Sequence, residues 1–246
     1  MSLIEHLEEL RRRIIYSFLA ISAAFLLCWA FVEEIFIILE RPIHRLLPEG
    51  QKLAIFGVPD AFLLYFKIAA LAAVFLASPV ILYQVWLFIA PGLYKAERVW
   101  AGVFVLIGSL FFVAGGLFAY FVAVPFSVEF LLGLGSRFEQ VIAVDRYLRF
   151  EMTLILGLGV MFELPMLIFA LAQMGVVTPG FLMRHFRWAV LGIFILAAVI
   201  TPTPDVINLC IFALPTLLLY LLGVGAAAVV GRSRRKRAAK EDAAAG

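Results

Sequence analysis

Residues 78–98 read SPVILYQVWLFIAPGLYKAER, and they are the most informative segment of the chain. A long apolar span ends at Pro91-Gly92, the charged connector 95–98 (KAER) follows, and another apolar span begins at Val99. A connector this short is not a domain, and membrane spans bracket it. It holds one carboxylate, Glu97, among cations at the edge of a bilayer. That arrangement indicates a surface that recognises a cationic partner arriving at the membrane.

The composition of the chain identifies a polytopic membrane protein. Hydrophobic residues make up 65% of its 246 residues and charged residues only 15%, whereas soluble domains are close to half apolar. Six hydrophobic spans are predicted, at 14–32, 63–89, 99–124, 152–177, 188–200 and 206–230. A helix needs roughly 20 residues to cross the hydrocarbon, and the fifth span is clearly shorter. The predicted fold is therefore an all-α bundle of six transmembrane helices.

The distribution of Lys and Arg predicts the orientation of the spans, because cations concentrate in short cytoplasmic segments. The connector 95–98, the segment around Arg184 and Arg187, the N-terminal arginines and the tail share one side, which predicts that both termini are cytoplasmic. The loops 33–62 and 125–151 then face outward. Residues 1–230 form one transmembrane domain in this prediction, and 231–246 form a basic, disordered cytoplasmic tail that contacts anionic lipid.

Recognisable catalytic chemistry is missing from the sequence. The three histidines lie in separate segments, and no metal-binding, nucleophile-elbow or phosphate-binding motif is present. The net charge of +3 gives no indication of nucleic-acid binding. We therefore expect a protein that is not an enzyme and has no metal or cofactor.

The N-terminal segment IEHLEELRRR, residues 4–13, predicts an amphipathic helix. Leu3, Leu7, Leu10 and Ile14 would share one face, with Glu9 on the polar side. Glu8 and Glu9 precede Arg12 and Arg13 by four residues, the spacing of helical salt bridges. An interfacial lead-in to the first span explains this pattern, but it does not explain why carboxylates lie where Lys and Arg are preferred.

Three other carboxylates have both a structural and a functional interpretation. Glu97 either pairs with Arg98 or Lys95, or receives an incoming guanidinium, which binds a carboxylate in bidentate fashion. Glu163 lies near the middle of the fourth span, where a charge costs several kcal/mol, so it makes a structural polar contact or meets a partner or substrate. Asp205 is either the N-cap of the sixth helix or a functional group.

Five motifs together resemble the TatC family, the large polytopic subunit of the twin-arginine protein translocase. They are HLEELRRR at 6–13, the stretch 78–98, FAYFVAVP at 118–125, FELP at 162–165 and TPTPDV at 201–206. The resemblance runs the length of the chain, and the order of the motifs makes it specific. The sequence departs from the family pattern at two places: the last outward turn has one extra residue, and Leu209 lies where the family usually has glutamine. Asn208 is adjacent to that position.

The resemblance implies a receptor for signal peptides with consecutive arginines. Together with small single-span subunits of the TatA and TatB type, it would export folded proteins across the prokaryotic cytoplasmic membrane, using the proton gradient and self-associating in a larger complex. By motif match, Glu9 and Glu97 receive the two arginines on a concave cytoplasmic face. The residues that line or support this site would be Leu10, Arg11, Phe88, Leu93, Tyr94, Lys95 and Arg98. Glu163 would face a partner helix, and Pro42 and Asp205 are assigned with it to partner contact.

Two other classes of function stay open at this point. An ion-coupled transporter would use Glu163 as a proton relay, although the single midplane carboxylate and the missing internal repeats argue against it. A purely structural scaffold would have no affinity for signal peptides. Independently of function, the short fifth span leads to the hypothesis that the protein thins the membrane near spans five and six.

Overall fold

The structure is a computed structural model, and it describes residues 3–47, 53–89, 101–135, 137, 141–201 and 205–245, with the side chains at 3, 101 and 233–245 left undescribed. Within these ranges the chain is mostly helical, with short turns and loops between the helices and one short bridge. The helices are α1 (Leu3–Ala30), α2 (Val32–His44), α3 (Asp60–Ile89), α4 (Ala101–Phe118), a π-helical turn (Ala119–Ala123), α5 (Val124–Leu134), α6 (Val144–Phe162), α7 (Leu164–Gln173), α8 (Pro179–Arg184), α9 (Phe186–Ile200) and α10 (Val206–Ala245).

Five helical segments are long and apolar enough to cross a membrane, and a sixth is shorter. The long segments are Ile4–Ala30, Asp60–Ile89, Gly102–Leu134, Val144–Gln173 and Val206–Arg232, and the short one is Phe186–Ile200. The predicted all-α, multi-pass fold with a short fifth span is therefore confirmed. The main helix pairs are α1 with α3, α4 with α6 and α7 with α10.

Both borders of the second predicted outward loop were wrong. The third span continues through the π-helical turn and α5 to Leu134, and the fourth begins at Val144. Pro125 lies in the first turn of α5, where its missing N–H is not needed and the wider π-helical turn makes room for its ring. On α6, Val144, Tyr147, Leu148 and Glu151 are buried. Their spacing is helical, so this segment is the amphipathic start of a span.

The first predicted outward loop also contains a helix. In α2, Leu39, Pro42 and Ile43 are buried against the bundle, so this helix forms because it has an apolar face to cover. Further along, Ala54 forms a parallel bridge with Ala143. The Ala54 N–H donates to the Ile142 carbonyl at 2.9 Å, and the Val144 N–H donates to the Ala54 carbonyl at 3.0 Å. The bridge joins the two segments predicted to face outward.

The C-terminal tail, predicted to be disordered at 231–246, follows directly on the last span. The backbone of α10 continues as helix to Ala245. The sequence AAKEDAAA is rich in strong helix formers, and adding residues to an existing helix avoids the cost of nucleation. The division into a domain at 1–230 and a separate tail stays a prediction.

Glycines allow the closest contact between helices at the α4–α6 crossing. A Cβ placed on Gly115 of α4 would lie 2.5 Å from the Leu158 carbonyl oxygen and 2.9 Å from the Gly159 Cα. Backbone atoms cannot move aside as a side chain can, so only glycine permits this crossing.

Candidate recognition site

Glu9 lies on α1 with two guanidiniums of its own chain around it. The Arg12 Nη2 donates to Glu9 Oε2 at 2.6 Å. The Arg13 Nε donates to Glu9 Oε1 at 2.7 Å, and Arg13 Nη2 contacts the same oxygen. The side chain of Glu9 is 13% exposed. Glu9 is therefore a largely covered carboxylate that already binds guanidinium groups, the chemistry expected of an arginine receptor.

An apolar groove lies directly beside this carboxylate, between α1 and α3. The cavity has a volume of about 300 Å³, and its lining includes Leu10, Arg13, Ile14, Gln84, Val85 and Phe88. The ring of Phe88 stacks on that of His6 with centroids 4.5 Å apart. Arg13 Nη1 donates to Gln84 Oε1 at 3.2 Å and so connects the two helices. The groove offers an apolar surface next to the charged group.

The structure describes four of the nine residues that were assigned to signal-peptide binding. Glu9 and Leu10 are half-buried on α1, Arg11 is exposed next to them, and Phe88 is half-buried near the end of α3. The other five, Glu97, Leu93, Tyr94, Lys95 and Arg98, lie outside the described residues. The predicted approach of Glu97 to Glu9 therefore stays a prediction. Leu10 and Phe88 line the α1–α3 groove, and Glu9 is connected to it through Arg13.

Glu163 interrupts the fourth span. Residue 163 separates α6 from α7, and Pro165 lies in the first turn of α7, as a proline-induced break requires. Its Oε1 is buried without a hydrogen-bond partner among the described residues, and the same holds for the Ser109 hydroxyl. Its Oε2 lies 3.4 Å from the position of a Cβ built on Gly108. Glu163 thus lies against the glycine-serine step of α4.

Asp205 caps the last helix, as one of its two interpretations predicted. Its Oδ1 accepts the Asn208 N–H at 2.7 Å, and its Oδ2 accepts the Asn208 Nδ2 at 2.8 Å. Asn208 Oδ1 in turn accepts the Ser127 hydroxyl at 2.5 Å, and both Asn208 and Ser127 are fully buried. Asn208 therefore forms a polar cluster next to Leu209, at the point where the sequence departs from the family pattern.

The residues assigned to partner contact belong to separate elements. Pro42 is buried within α2, Asp205 precedes α10, and Glu163 lies at the α6–α7 junction. Within the described ranges, no group of three or more His, Cys, Asp or Glu side chains has an arrangement that could hold a metal ion.

Glu151 is a buried polar residue that the sequence analysis missed. It is fully buried, and neither its oxygens nor the Tyr147 hydroxyl makes a hydrogen bond of ordinary length in the described part of the chain. The two groups are neighbours one turn apart on α6 and interact with each other. The sequence analysis assigned Glu151 to the end of an outward loop. The signal was present in the spacing, since Val144, Leu148 and Glu151 recur with helical period and align with the apolar face.

Three comparisons place the chain among known proteins. The sequence model of the family described as "Sec-independent protein translocase protein (TatC)" matches residues 5–215. The Sec-independent protein translocase protein TatC of Koribacter versatilis is 46% identical over 250 residues, covering 100% of this chain and 92% of that protein. The protein of the same name from Helicobacter pylori strain J99 is 42% identical over 220 residues, covering 89% of this chain and 86% of that protein.

The fold also matches solved structures. A crystal structure of the twin-arginine translocase receptor TatC superimposes with a TM-score of 0.80 at 33% identity, covering 92% of this chain and 99% of that one. A second crystal structure of this receptor, in the detergent DDM, gives a TM-score of 0.80 at 35% identity, covering 89% of this chain and 97% of that one.

Proposed function

This chain belongs to the TatC family of Sec-independent protein translocase proteins, and on that premise we propose that it is a receptor for signal peptides with consecutive arginines. Members of this family are components of a protein translocase and are not enzymes. The observation that carries the proposal is the Glu9 carboxylate, which is paired with two guanidiniums of its own chain, one of them from a residue that lines the α1–α3 groove. A second carboxylate, Glu97, would receive the other arginine.

The chemistry of the site favours arginine over lysine. A guanidinium is planar and weakly hydrated and offers a fork of donors to a carboxylate, whereas an ammonium is a strongly hydrated point charge. The adjoining groove, with Leu10 and Phe88 in its lining, would accept apolar side chains of the same peptide. The Glu9 carboxylate and the apolar groove together fit a peptide that has two positive charges next to an apolar segment.

The test is binding of a synthetic peptide with two arginines before an apolar segment to the purified full chain in nanodiscs. We expect Glu9→Gln to weaken binding about tenfold, because one charge-assisted contact is lost. A peptide with two lysines should bind the unchanged protein more weakly. Glu8→Gln is the matched control, since it removes the same charge from the exposed neighbouring position of α1. Equal binding by all proteins and both peptides would exclude the receptor function.

Glu163 is the proposed contact for a second kind of partner, the small single-span subunits of the TatA and TatB type. Its support is the unpaired, buried Oε1 at a break in a membrane span, where a polar group from another transmembrane helix would satisfy it. Pro42 and Asp205 belong to the same proposal by family position. The complex would also contain further copies of this chain, in the cytoplasmic membrane with both termini cytoplasmic and the proton gradient as energy source.

Photo-crosslinking tests this second contact. A crosslinker at Val160, which is 58% exposed and one turn before Glu163, should form adducts with the small subunits. A crosslinker at Leu26 of α1, which is 72% exposed, is the control for contact with any neighbouring helix. Loss of the Val160 adducts in a Glu163→Ala background would support a polar contact. Equal yields of adducts from Val160 and from Leu26 would contradict a specific contact at Glu163.

A further inference from the structure

The two guanidiniums around Glu9 come from consecutive arginines of this chain, Arg12 and Arg13. The carboxylate therefore has occupants of the same chemistry as the ligand proposed for it. They divide its oxygens between them: Arg13 takes Oε1 with two nitrogens, and Arg12 takes Oε2 with one nitrogen at 2.6 Å. Any incoming guanidinium must add to, or replace, one of these contacts.

The two contacts differ in how firmly they are held. The side chain of Arg12 is 58% exposed and makes one contact with Glu9. The side chain of Arg13 is 18% exposed, contacts Glu9 through two nitrogens and donates a further hydrogen bond to Gln84 of α3 at 3.2 Å. An exposed single contact contributes little, whereas a covered two-nitrogen contact with a second anchor is costly to break.

We infer that Arg12 is an internal competitor for the signal peptide and that Arg13 is a positioning residue that fixes Glu9. An arriving guanidinium replaces Arg12 at Oε2, while Arg13 keeps Oε1 and holds the carboxylate in place. Glu9 remains paired before and after the exchange, so no bare charge is left in the covered site. The inference rests on the proposed function and concerns what sets the affinity of that site.

The exchange lowers the affinity of the site below that of an empty carboxylate. A ligand gains only the difference between its own contact and the one that Arg12 gives up. Because every peptide has to displace the same contact, Arg12 lowers the affinity for arginine peptides and for lysine peptides by the same factor. The preference for arginine comes from Glu9 itself, since the single ammonium of a lysine cannot reproduce the planar fork.

Two substitutions with the same charge change separate this inference from general electrostatics. Arg12→Gln and Arg13→Gln each remove one positive charge from adjacent positions of α1, so both weaken long-range repulsion of a cationic peptide about equally. We expect Arg12→Gln to bind the two-arginine peptide about two- to fivefold more tightly, the size of an exposed ion pair. It should bind the two-lysine peptide more tightly by the same factor, because both peptides displace the same contact. Arg13→Gln should bind the two-arginine peptide about fivefold more weakly, because Glu9 loses its support.

The measurement uses the purified full chain in nanodiscs with both peptides, and thermal unfolding confirms that each variant is folded. Tighter binding in both variants would show that only net charge matters and would overturn the inference, and so would weaker or unchanged binding of the two-arginine peptide in Arg12→Gln. The proposed function survives those outcomes as long as the unchanged protein prefers the two-arginine peptide. Absence of that preference in the unchanged protein would overturn the proposed function, and this inference with it.

Discussion

Three glutamates of this chain lie in three different surroundings, and each requires a different physical explanation. Glu9 is largely covered and paired with two guanidiniums. Glu163 lies at the break between α6 and α7, and one of its oxygens is buried without a hydrogen-bond partner among the described residues. Glu151 is fully buried, and the Tyr147 hydroxyl is its polar neighbour. A carboxylate that is covered but paired is suited to exchange partners, whereas a buried carboxylate with no hydrogen bond is a cost that the fold carries.

Replacing Glu151 should reveal that cost. We expect Glu151→Leu to be neutral or to raise the free energy of unfolding by up to about 3 kcal/mol, because it removes a buried carboxyl group that makes no hydrogen bond of ordinary length among the described residues. Glu151→Lys should destabilise the protein strongly, since its charge cannot be paired there. Thermal unfolding in detergent measures both. The control is Glu129→Leu at an exposed position of α5, which should change stability by less than about 0.5 kcal/mol. A clear loss of stability in Glu151→Leu would mean that the carboxyl group has a stabilising partner.

At the scale of the helix, α4 and α6 illustrate how close packing depends on a missing side chain. A methyl group at Gly115 would meet the backbone of α6, so Gly115→Ala should cost about 1–3 kcal/mol through forced separation of the helices. Gly225→Ala in α10, where nothing lies within 4 Å, should instead stabilise the helix by about 0.5–1 kcal/mol. Unfolding of the two variants in the same detergent is the measurement. Equal effects would contradict a packing role for Gly115.

The short helix α9 has a consequence for the surrounding bilayer. Its 15 residues give a rise of about 22 Å, less than the roughly 30 Å of hydrocarbon. We predict that the membrane is thinned next to α9, because bending lipid costs less than burying unpaired backbone groups.

Spin labels placed at exposed positions of α9 test this thinning. Ile195 is 54% exposed and Val199 is 78% exposed. If the membrane is thin here, the stretch of α9 that is protected from a water-soluble relaxing agent should be shorter than in a longer span. Leu106 on the longer span that includes α4 is 72% exposed, and a label there supplies the full-thickness profile. A profile along α9 identical to that of the longer span would rule out thinning.

At the scale of the whole molecule, the number and order of the spans could be read from the sequence because long apolar runs have few alternatives in a chain this rich in hydrophobic residues. The residues at which the spans begin and end could not be predicted equally well. The segment beginning at Val144 carries Asp145, Arg146 and Arg149 on its polar face. These charges conceal the buried face, to which only one residue in every three or four belongs. The helix α2 was missed for the same reason.

The candidate site was predictable in part. Sequence spacing correctly paired Glu9 with Arg13, since residues four apart lie on one helix face. The same spacing paired Arg12 with Glu8, whereas Arg12 contacts Glu9 in the structure. Separations of three and four residues are nearly equivalent on a helix surface, so the choice depends on side-chain rotamers and on the neighbouring helix. The groove formed with α3 depends on packing between distant segments, which one sequence does not reveal.

The hydrogen bond between Ser127 and Asn208 has a consequence for how the chain is made. The two residues are 81 positions apart, and the ribosome delivers α5 well before the final span. Until α10 is inserted, the Ser127 hydroxyl has to turn back on its own helix, as serines in helices can. The hydrogen bond between Ser127 and Asn208 can therefore form only once the last span is inserted. A chain that ends before Asn208 would leave Ser127 without this partner, and that site would be exposed to the quality-control proteases of the membrane.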